Sequence, residues 1–259
     1  MSFSTRAGVA VITGVGRRRS IGAGLALGLA RDGWNLVLNY WRPYDDRVGL
    51  ERTSDDPESV AEECRALGVT VELVSGDLSH PDTPAELLRA AQKMGPVTAL
   101  VMSHCESVDS SILTTDVESW DRHFAVNARA AWLLIKAFAE QLPEGAPSGE
   151  VGGRIVALTS DHTVDNLPYG ASKGALDRIV KAAAVELRGR GVRANVVNPG
   201  PIDTGWMNFE IRKWATDETP AGRLGTPDDI ADLVRFLLSP QGSWVNGQVL
   251  HSNGGFGVS

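Results

Sequence analysis

Short apolar runs alternate with longer amphipathic stretches along almost the whole chain. The apolar runs predict seven buried strands, at Val9–Ile12, Leu36–Leu38, Val69–Val74, Val97–Met102, Arg154–Leu158, Val192–Val197 and Gln248–His251. The amphipathic stretches predict helices near residues 22–31, 57–67, 84–93, 117–142, 169–189 and 227–238. This alternation predicts one α/β domain over residues 1–259, with a doubly wound, seven-stranded parallel sheet and helices on both faces. In such a sheet, ligands bind beyond the carboxyl ends of the strands.

The composition narrows the range of partners. The chain has 259 residues, of which 42% are hydrophobic, and a formal net charge of -7, which disfavours nucleic acid and anionic membranes. Cys64 and Cys105 fit no disulfide framework or zinc spacing, so we expect two buried fillers, no metal site and a cytoplasmic location. Residues 1–6 lack the plan of a signal peptide, no apolar run approaches a membrane span, and residues 143–149 predict a surface loop.

A tyrosine and a lysine stand one helical turn apart at the start of a predicted helix. Tyr169 and Lys173 are separated by four positions, which places their side chains on the same helix face. Tyrosine ordinarily ionises near pH ~10, and a neighbouring ammonium favours the phenolate. We therefore expect Lys173 to lower the pKa of Tyr169. Taken alone, the pair equally fits a half-buried tyrosine beside a solvated lysine.

A glycine-rich turn follows the first predicted strand and precedes the first predicted helix. It runs from Thr13 to Gly22 and includes Gly14 and Gly16. Glycines at such a turn let the backbone approach a pyrophosphate, and the helix N-terminus offers unpaired N–H groups to it. A tight turn explains the glycines equally well, but the position between strand and helix favours dinucleotide binding.

Together these motifs resemble the short-chain dehydrogenase/reductase family over essentially the whole chain, which implies a single Rossmann domain. The glycine turn resembles the family's Thr-Gly-x-x-x-Gly-x-Gly with two added residues and Ser20 at the middle glycine, like the loop of bacterial enoyl-acyl-carrier-protein reductases. The pentapeptide from Tyr169 to Lys173 is similar to that of the 3-oxoacyl-carrier-protein reductase branch. Further matches are Asp77-Leu78, Asn127 within 126–129, Ser160, residues 198–204 and the ending 247–255.

The resemblance implies a role for each matched residue. Tyr169 would donate a proton to a substrate oxygen, Ser160 would hydrogen-bond that oxygen, and Lys173 would also hold the nicotinamide ribose. Asn127 would join a water chain to the lysine, the alternative being a solvated residue on a helix face. The implied cofactor-binding residues are Gly14, Gly16, Arg17, Arg18, Ser20, Ile21, Gly22, Tyr40, Arg42, Asp77, Leu78, Ser103, Pro199, Gly200, Ile202 and Thr204.

The end of the second strand bears on the choice of cofactor. An acidic residue there would bind the ribose 2′-hydroxyl of NAD, but residues 38–42 contain none. Arg17, Arg18, Arg19 and Arg42 are instead suited to a 2′-phosphate. We therefore expect NADP(H), with NAD(H) as the alternative because relatives with the enoyl-reductase-like loop also use it.

Three segments depart from the family pattern. Residues 102–105 are Met-Ser-His-Cys where the family has Asn-Asn-Ala-Gly, and the segment between Ser160 and Tyr169 is shorter than usual. His104 and His162 both follow strand ends, so either is a candidate for facing a substrate, or an ordinary loop histidine. Trp206 begins a segment at about 205–219 that resembles the family's mobile substrate lid, the alternative being a packing helix.

The resulting hypothesis is an NADP(H)-dependent oxidoreductase acting on a ketone or secondary alcohol, or on a 3-oxoacyl thioester. An enoyl reductase and a non-catalytic dinucleotide-binding sensor or scaffold are the alternatives. Two predicted helices are apolar on more than one face, through residues such as Trp132, Leu133, Ile135, Ile179 and Val180. With the resemblance, these faces predict a homotetramer, or failing that a dimer.

Overall fold

The sheet has the predicted doubly wound architecture. The computed structural model describes residues 8–50, 56–145 and 152–258. Its seven strands are β1 (Val9–Thr13), β2 (Asn35–Tyr40), β3 (Val71–Ser75), β4 (Val97–Met102), β5 (Gly153–Leu158), β6 (Val192–Asn198) and β7 (Val249–His251). They form one sheet in the order β3-β2-β1-β4-β5-β6-β7, and every neighbouring pair is parallel. The seven-stranded parallel sheet expected from the apolar runs is confirmed.

Helices cover both faces of this sheet. They are α1 (Ile21–Arg31), α2 (Arg42–Arg47), α3 (Asp56–Ala66), α4 (Thr83–Gln92), α5 (Val117–His123), α6 (Ala130–Glu140), α7 (Leu167–Glu186), α8 (Phe209–Asp217) and α9 (Pro227–Leu238). A π-helical segment, Phe124–Arg129, joins α5 to α6, and 3₁₀ turns occupy Arg188–Arg190 and Pro240–Gly242.

Each face of the sheet has its own apolar core. One core packs α1, α3 and α9 against the sheet, and the other packs α4, α6 and α7 against the opposite face. The central strands lie between these layers, so all five residues of β1 are buried. Burial on both faces explains why the strands read as continuous apolar runs rather than as alternating ones.

The long helix predicted over residues 117–142 is in fact interrupted. A π-helical segment lies between α5 and α6, and Asn127 lies within it. A π segment adds a residue to the helical turn and commonly marks a functional position. The periodicity of apolar residues continues through the interruption, so the sequence pattern alone could not reveal it.

Several other boundaries differ from the predictions. Helix α7 begins at Leu167, two residues before Tyr169, with a proline in its first turn, where the missing N–H of proline costs nothing. Helices α2 and α8 were not predicted by apolar periodicity, because most of their residues are polar or exposed. The described part of the chain excludes residues 1–7, 51–55, 146–151 and 259. The N-terminal segment and most of the loop expected at 143–149 therefore lie outside it. Among the described helices, none has the length and apolarity needed to cross a membrane.

Candidate active site

The reversal of strand order between β1 and β4 opens a crevice at the carboxyl edge of the sheet. The glycine turn between β1 and α1 forms one wall. Gly14 has a φ of +79°, and a Cβ there would lie 2.7 Å from the backbone of Ser103 and His104 after β4. Only glycine permits both the conformation and this close approach. At the end of the turn, the Ser20 hydroxyl caps α1 by accepting a hydrogen bond from the N–H of Ala23 at 3.1 Å.

The tyrosine and lysine lie on the inward face of α7. Lys173 is 2% exposed, and its Nζ donates a hydrogen bond to the Leu158 carbonyl at the end of β5, at 2.9 Å. The same Nζ lies 5.7 Å from the centre of the Tyr169 ring. A buried ammonium requires such fixed partners because burial is costly for a charge. The alternative of a solvated lysine is therefore wrong.

The pKa of Tyr169 is raised rather than lowered. Burial of the phenol is the main cause, and the hydrogen bond with Ser160 opposes it. The expectation that Lys173 lowers this pKa is wrong. The ammonium is instead bonded to the Leu158 carbonyl and lies over the ring. Burial likewise lowers the pKa of Lys173, while Cys105 and Asp177 act in the opposite direction. A protonated phenol suits a proton donor.

The short segment after Ser160 does not prevent the serine from meeting the tyrosine. The Ser160 side chain lies near the Tyr169 phenol and lowers its pKa through hydrogen bonding, and it accepts from the N–H of His162 at 3.1 Å. A Cβ on Gly170 would lie 2.1 Å from the His162 carbonyl oxygen, so this glycine lets the loop pack directly on α7. The exposed His162 ring donates from Nε2 to the Val164 carbonyl at 2.8 Å. One nitrogen of the His162 ring is thus bonded within its own loop, and the substrate contact expected of His162 stays a prediction.

Asn127 is fully buried in the π-helical segment. Its Oδ1 accepts from the N–H of Glu106 at 2.8 Å, and its Nδ2 donates to the Glu106 carbonyl and to the Ser172 hydroxyl, both at 2.9 Å. Ser172 in turn donates to the Tyr169 carbonyl at 2.8 Å. Asn127 is thus not a solvated helix residue, and it ties the loop after β4 to the helix that presents the tyrosine.

His104 faces inward rather than toward a substrate. Its Nε2 lies 3.1 Å from the Val126 carbonyl, which can only accept, so Nε2 is the protonated nitrogen. Its Nδ1 therefore accepts from the Thr13 hydroxyl at 2.6 Å. Burial, assisted by the charge of Lys173, lowers the pKa of His104 to about 3. Both ring nitrogens are used, which corrects the expectation that His104 contacts a substrate.

The arginines expected to bind a cofactor are held by contacts with other parts of the chain. Arg42 lies over the Tyr40 ring at 5.3 Å and pairs with Glu58 of α3 at 2.7 Å. Arg18 pairs with Glu63 of the same helix. Arg17 is more deeply buried and donates to the Thr204 carbonyl after β6 at 2.8 Å.

The loops after β3, β4 and β6 complete the walls. Asp77 accepts from the N–H of Ser79 at 2.8 Å, and Leu78 beside it is buried. Ser103 donates its N–H to the Thr13 hydroxyl at 3.2 Å. Pro199, Gly200, Ile202 and Thr204 form the loop after β6, where Gly200 has a φ of +63° and Ile202 is buried.

Comparison with known proteins decides the family. The model described as enoyl-(acyl carrier protein) reductase matches residues 14–257. The chain is a short-chain dehydrogenase/reductase. It is 38% identical over 263 residues to an NADPH-dependent aldehyde reductase-like protein of Arabidopsis thaliana, covering 96% of this chain and 93% of the relative. An uncharacterized oxidoreductase of Bacillus subtilis is 33% identical over 253 residues, with 96% of each chain covered.

Solved structures agree with this membership. A metagenomic blue fluorescent protein in complex with NADPH is 28% identical, with a TM-score of 0.82 and coverage of 97% of this chain and 98% of the other. A dehydrogenase/reductase of Sinorhizobium meliloti has a TM-score of 0.83 at 28% identity, covering 97% and 96%. This short-chain dehydrogenase/reductase is therefore an enzyme of the oxidoreductase class, and the sensor or scaffold alternative is set aside.

Two groups of residues near the crevice of this dehydrogenase/reductase were not predicted from the sequence. Helix α2 brings Tyr44, Asp45 and Arg47 to the crevice, and Glu106 is buried after β4 with both carboxylate oxygens bonded to Arg47, at 2.5 and 2.6 Å. Asp45 lies three residues beyond the segment 38–42, in which an acidic residue is expected for NAD binding. A short polar helix has no periodic signal, so only extending that search along the chain could have found Asp45.

The segment expected to be a lid contains α8 and has a small core of its own. Met207, Ala215 and Leu224 are buried together with Ile211 against them. Trp206, Phe209 and Trp214 expose 53%, 80% and 56% of their surface. Trp214 also packs edge-on against Phe256, with ring centres 5.6 Å apart. Its role as a lid stays a prediction.

His104 should make the enzyme less stable in acid. Its folded pKa of about 3 lies below the ordinary value of 6.5, so the unfolded chain binds the proton first as the pH falls. Stability is therefore lost from about pH 6.5 downward, by at most about 1.4 kcal/mol per pH unit. His104→Gln keeps a donor and an acceptor but does not titrate, so its urea unfolding free energy should fall less steeply between pH 7 and 5. His80→Gln, at an exposed position, should retain the wild-type slope, and an equal slope in all three proteins would contradict the assignment.

Proposed function

We propose that the protein is an NADP(H)-dependent carbonyl reductase, acting on a ketone or secondary alcohol or on a 3-oxoacyl thioester. The main support is the meeting of Ser160 with the protonated phenol of Tyr169 beside a buried Lys173. Carbonyl reduction needs a donor within hydrogen-bond reach of the oxygen on which charge develops. Tyr169 and Ser160 together supply that arrangement.

Each residue has a distinct task in this proposal. Bound reduced nicotinamide would supply the hydride. Ser160 orients the substrate oxygen, and Tyr169 transfers its phenolic proton to it. Lys173 would hold the ribose hydroxyls of the cofactor with its fixed ammonium. Asn127 and Ser172 act as positioning residues, because they fix the first turns of α7 relative to the loop after β4.

The glycine turn fits a dinucleotide. A Cβ at Gly14 would collide with the backbone of the loop after β4. The N-terminus of α1 offers N–H groups to a diphosphate. Arg17 bridges this turn to Thr204, which suits the diphosphate. Arg42 lies beside Tyr40 at the end of β2, which suits a 2′-phosphate. The relatives whose names include NADPH support the same choice, and NAD(H) is the alternative.

Reduction of a carbon–carbon double bond is the second candidate. It is favoured by the Ser20-containing turn and by the description of the matching family model. The one-turn spacing of Tyr169 and Lys173 favours carbonyl reduction instead, and so do the relatives named as aldehyde reductases. A panel of aldehydes, ketones, 3-oxoacyl thioesters and enoyl thioesters, each with NADPH and NADH, separates the two reactions by cofactor oxidation.

We predict that Tyr169→Phe abolishes most turnover on whichever carbonyl the panel identifies. Loss of a positioned general acid costs on the order of 10²–10⁴ in rate. The loss should fall on kcat while the Kd for NADPH hardly changes, because only a hydroxyl is removed. Ser160→Ala should also lower kcat. Near-full activity of Tyr169→Phe would refute the mechanism, whereas a silent Ser160→Ala would leave only the tyrosine's role standing.

The arginines should separate into two kinds of contact. Arg42→Ala should weaken NADPH binding but not NADH binding, because only the 2′-phosphate loses a partner. A charge-assisted hydrogen bond of this kind is worth about 1.5–3 kcal/mol. Arg17→Ala should weaken both cofactors through the diphosphate. Arg18 pairs with Glu63 as Arg42 pairs with Glu58, and it is the other arginine expected at the 2′-phosphate, so Arg18→Ala should likewise spare NADH binding. Fluorescence titration measures each Kd, and a wild type that prefers NADH would contradict the assignment of Arg42.

The proposed assembly is a homotetramer, with a dimer as the fallback. Of the apolar residues on the two helices, Ile135 and Val180 are buried in the protomer's own core. Trp132 remains 51% exposed and borders an apolar groove with Phe124 and Ile179. Trp244, a few residues before β7, is 96% exposed. Light scattering at micromolar concentration should give a multiple of the protomer mass, and a monomer would reject the proposal.

The cytoplasmic location likewise stays a prediction.

A further inference from the structure

Helix α2 lies across the crevice at the point where strand order reverses. On the side of β4, the Tyr44 hydroxyl donates to the Ser107 carbonyl at 3.3 Å, and Arg47 forms its two short bonds with buried Glu106. On the side of β1, Asp45 pairs with Arg17 at 3.2 Å. Contacts from one six-residue helix therefore reach both walls of the crevice in which a dinucleotide would bind.

The carboxylate of Asp45 stands at the anion-binding part of the glycine turn. Its Oδ2 lies 2.9 Å from the position that a Cβ on Gly16 would take. The Asp45 and Arg17 side chains are only 8% and 12% exposed, so their ion pair is little screened by water. A negative group held by Arg17 against this turn occupies the place that the chemistry of the turn suits for a phosphate.

The same helix extends toward the catalytic tyrosine. Burial raises the pKa of Tyr44, and among the further causes are the nearby Cys105, Glu106 and Tyr169. Tyr44 therefore shares an environment with the proton donor. Together with the contacts of α2 to Arg17 and Glu106, this places α2 beside both the glycine turn and the surroundings of the catalytic tyrosine.

We propose that α2 is a displaceable cover of the cofactor crevice, and that Asp45 competes with the cofactor's diphosphate for Arg17. This inference rests on the proposed dinucleotide-dependent function. A ligand that binds only the open arrangement has its apparent affinity reduced by the fraction of molecules that are open. Asp45 thereby sets cofactor affinity although it makes no contact with the cofactor.

Asp45→Asn tests the competition directly. It removes the charge that holds Arg17 and should lower the Kd for both NADPH and NADH by about tenfold, as expected when a closed state is destabilised. Asp46→Asn is the matched control, because it removes the same charge from an exposed position on the same helix. In an Arg17→Ala background the effect of Asp45→Asn should vanish. Circular dichroism and thermal unfolding verify that each variant folds.

Hydrogen exchange of the wild type gives an independent readout. On addition of NADPH, peptides covering 42–50 should exchange faster while those covering the glycine turn exchange more slowly. An unchanged Kd for NADPH and NADH in Asp45→Asn would refute the proposal that α2 covers the crevice. Slower hydrogen exchange of α2 on addition of NADPH would refute it as well. Weaker NADH binding alone in Asp45→Asn would identify Asp45 as a ribose-binding acid and would also overturn it. A wild type that binds neither dinucleotide refutes the proposed function itself, which keeps the two failures distinct.

Discussion

The reversal of strand order at β1 and β4 is the constraint on which the rest of the site depends. Because all strands are parallel, the loops that leave their carboxyl ends meet at one edge, and the reversal separates two of them into a crevice. Lys173 is fixed to that edge through the Leu158 carbonyl at the end of β5. The position of α7, and with it Tyr169, is therefore tied to the sheet as well as to the loop after β4.

The polar groups buried around this crevice form a connected set. Asn127 holds both backbone groups of Glu106, whose carboxylate binds Arg47 of α2. His104 joins Thr13 at the end of β1 to the carbonyl of Val126, the neighbour of Asn127. Each contact satisfies a group that would be costly to bury alone. The loop after β4 therefore links the catalytic helix to α2 through Glu106.

The sequence predicts what is repetitive or local, and it misses what depends on tertiary partners. Buried strands produce apolar runs, and the spacing of Tyr169 and Lys173 is fixed by one helical turn, so both were available from the residues alone. The inward orientation of His104 was not, because its partners Thr13 and Val126 come from other elements. Likewise, the acid at the glycine turn comes from Asp45, whose approach to Arg17 depends on how a short polar helix folds back over the crevice.

The protonation of Tyr169 favours one direction of the proposed reaction. Burial raises its pKa, so near neutrality the phenol holds its proton and can donate it as a carbonyl is reduced. Alcohol oxidation would require the phenolate, which burial disfavours and which only the hydrogen bond with Ser160 helps to form. Burial also lowers the pKa of Lys173, so the same desolvation acts on both members of the tyrosine–lysine pair. The raised pKa thus suits Tyr169 to the proton-donating step of the proposed reduction, and oxidation would draw on higher pH or on charges brought by the bound dinucleotide.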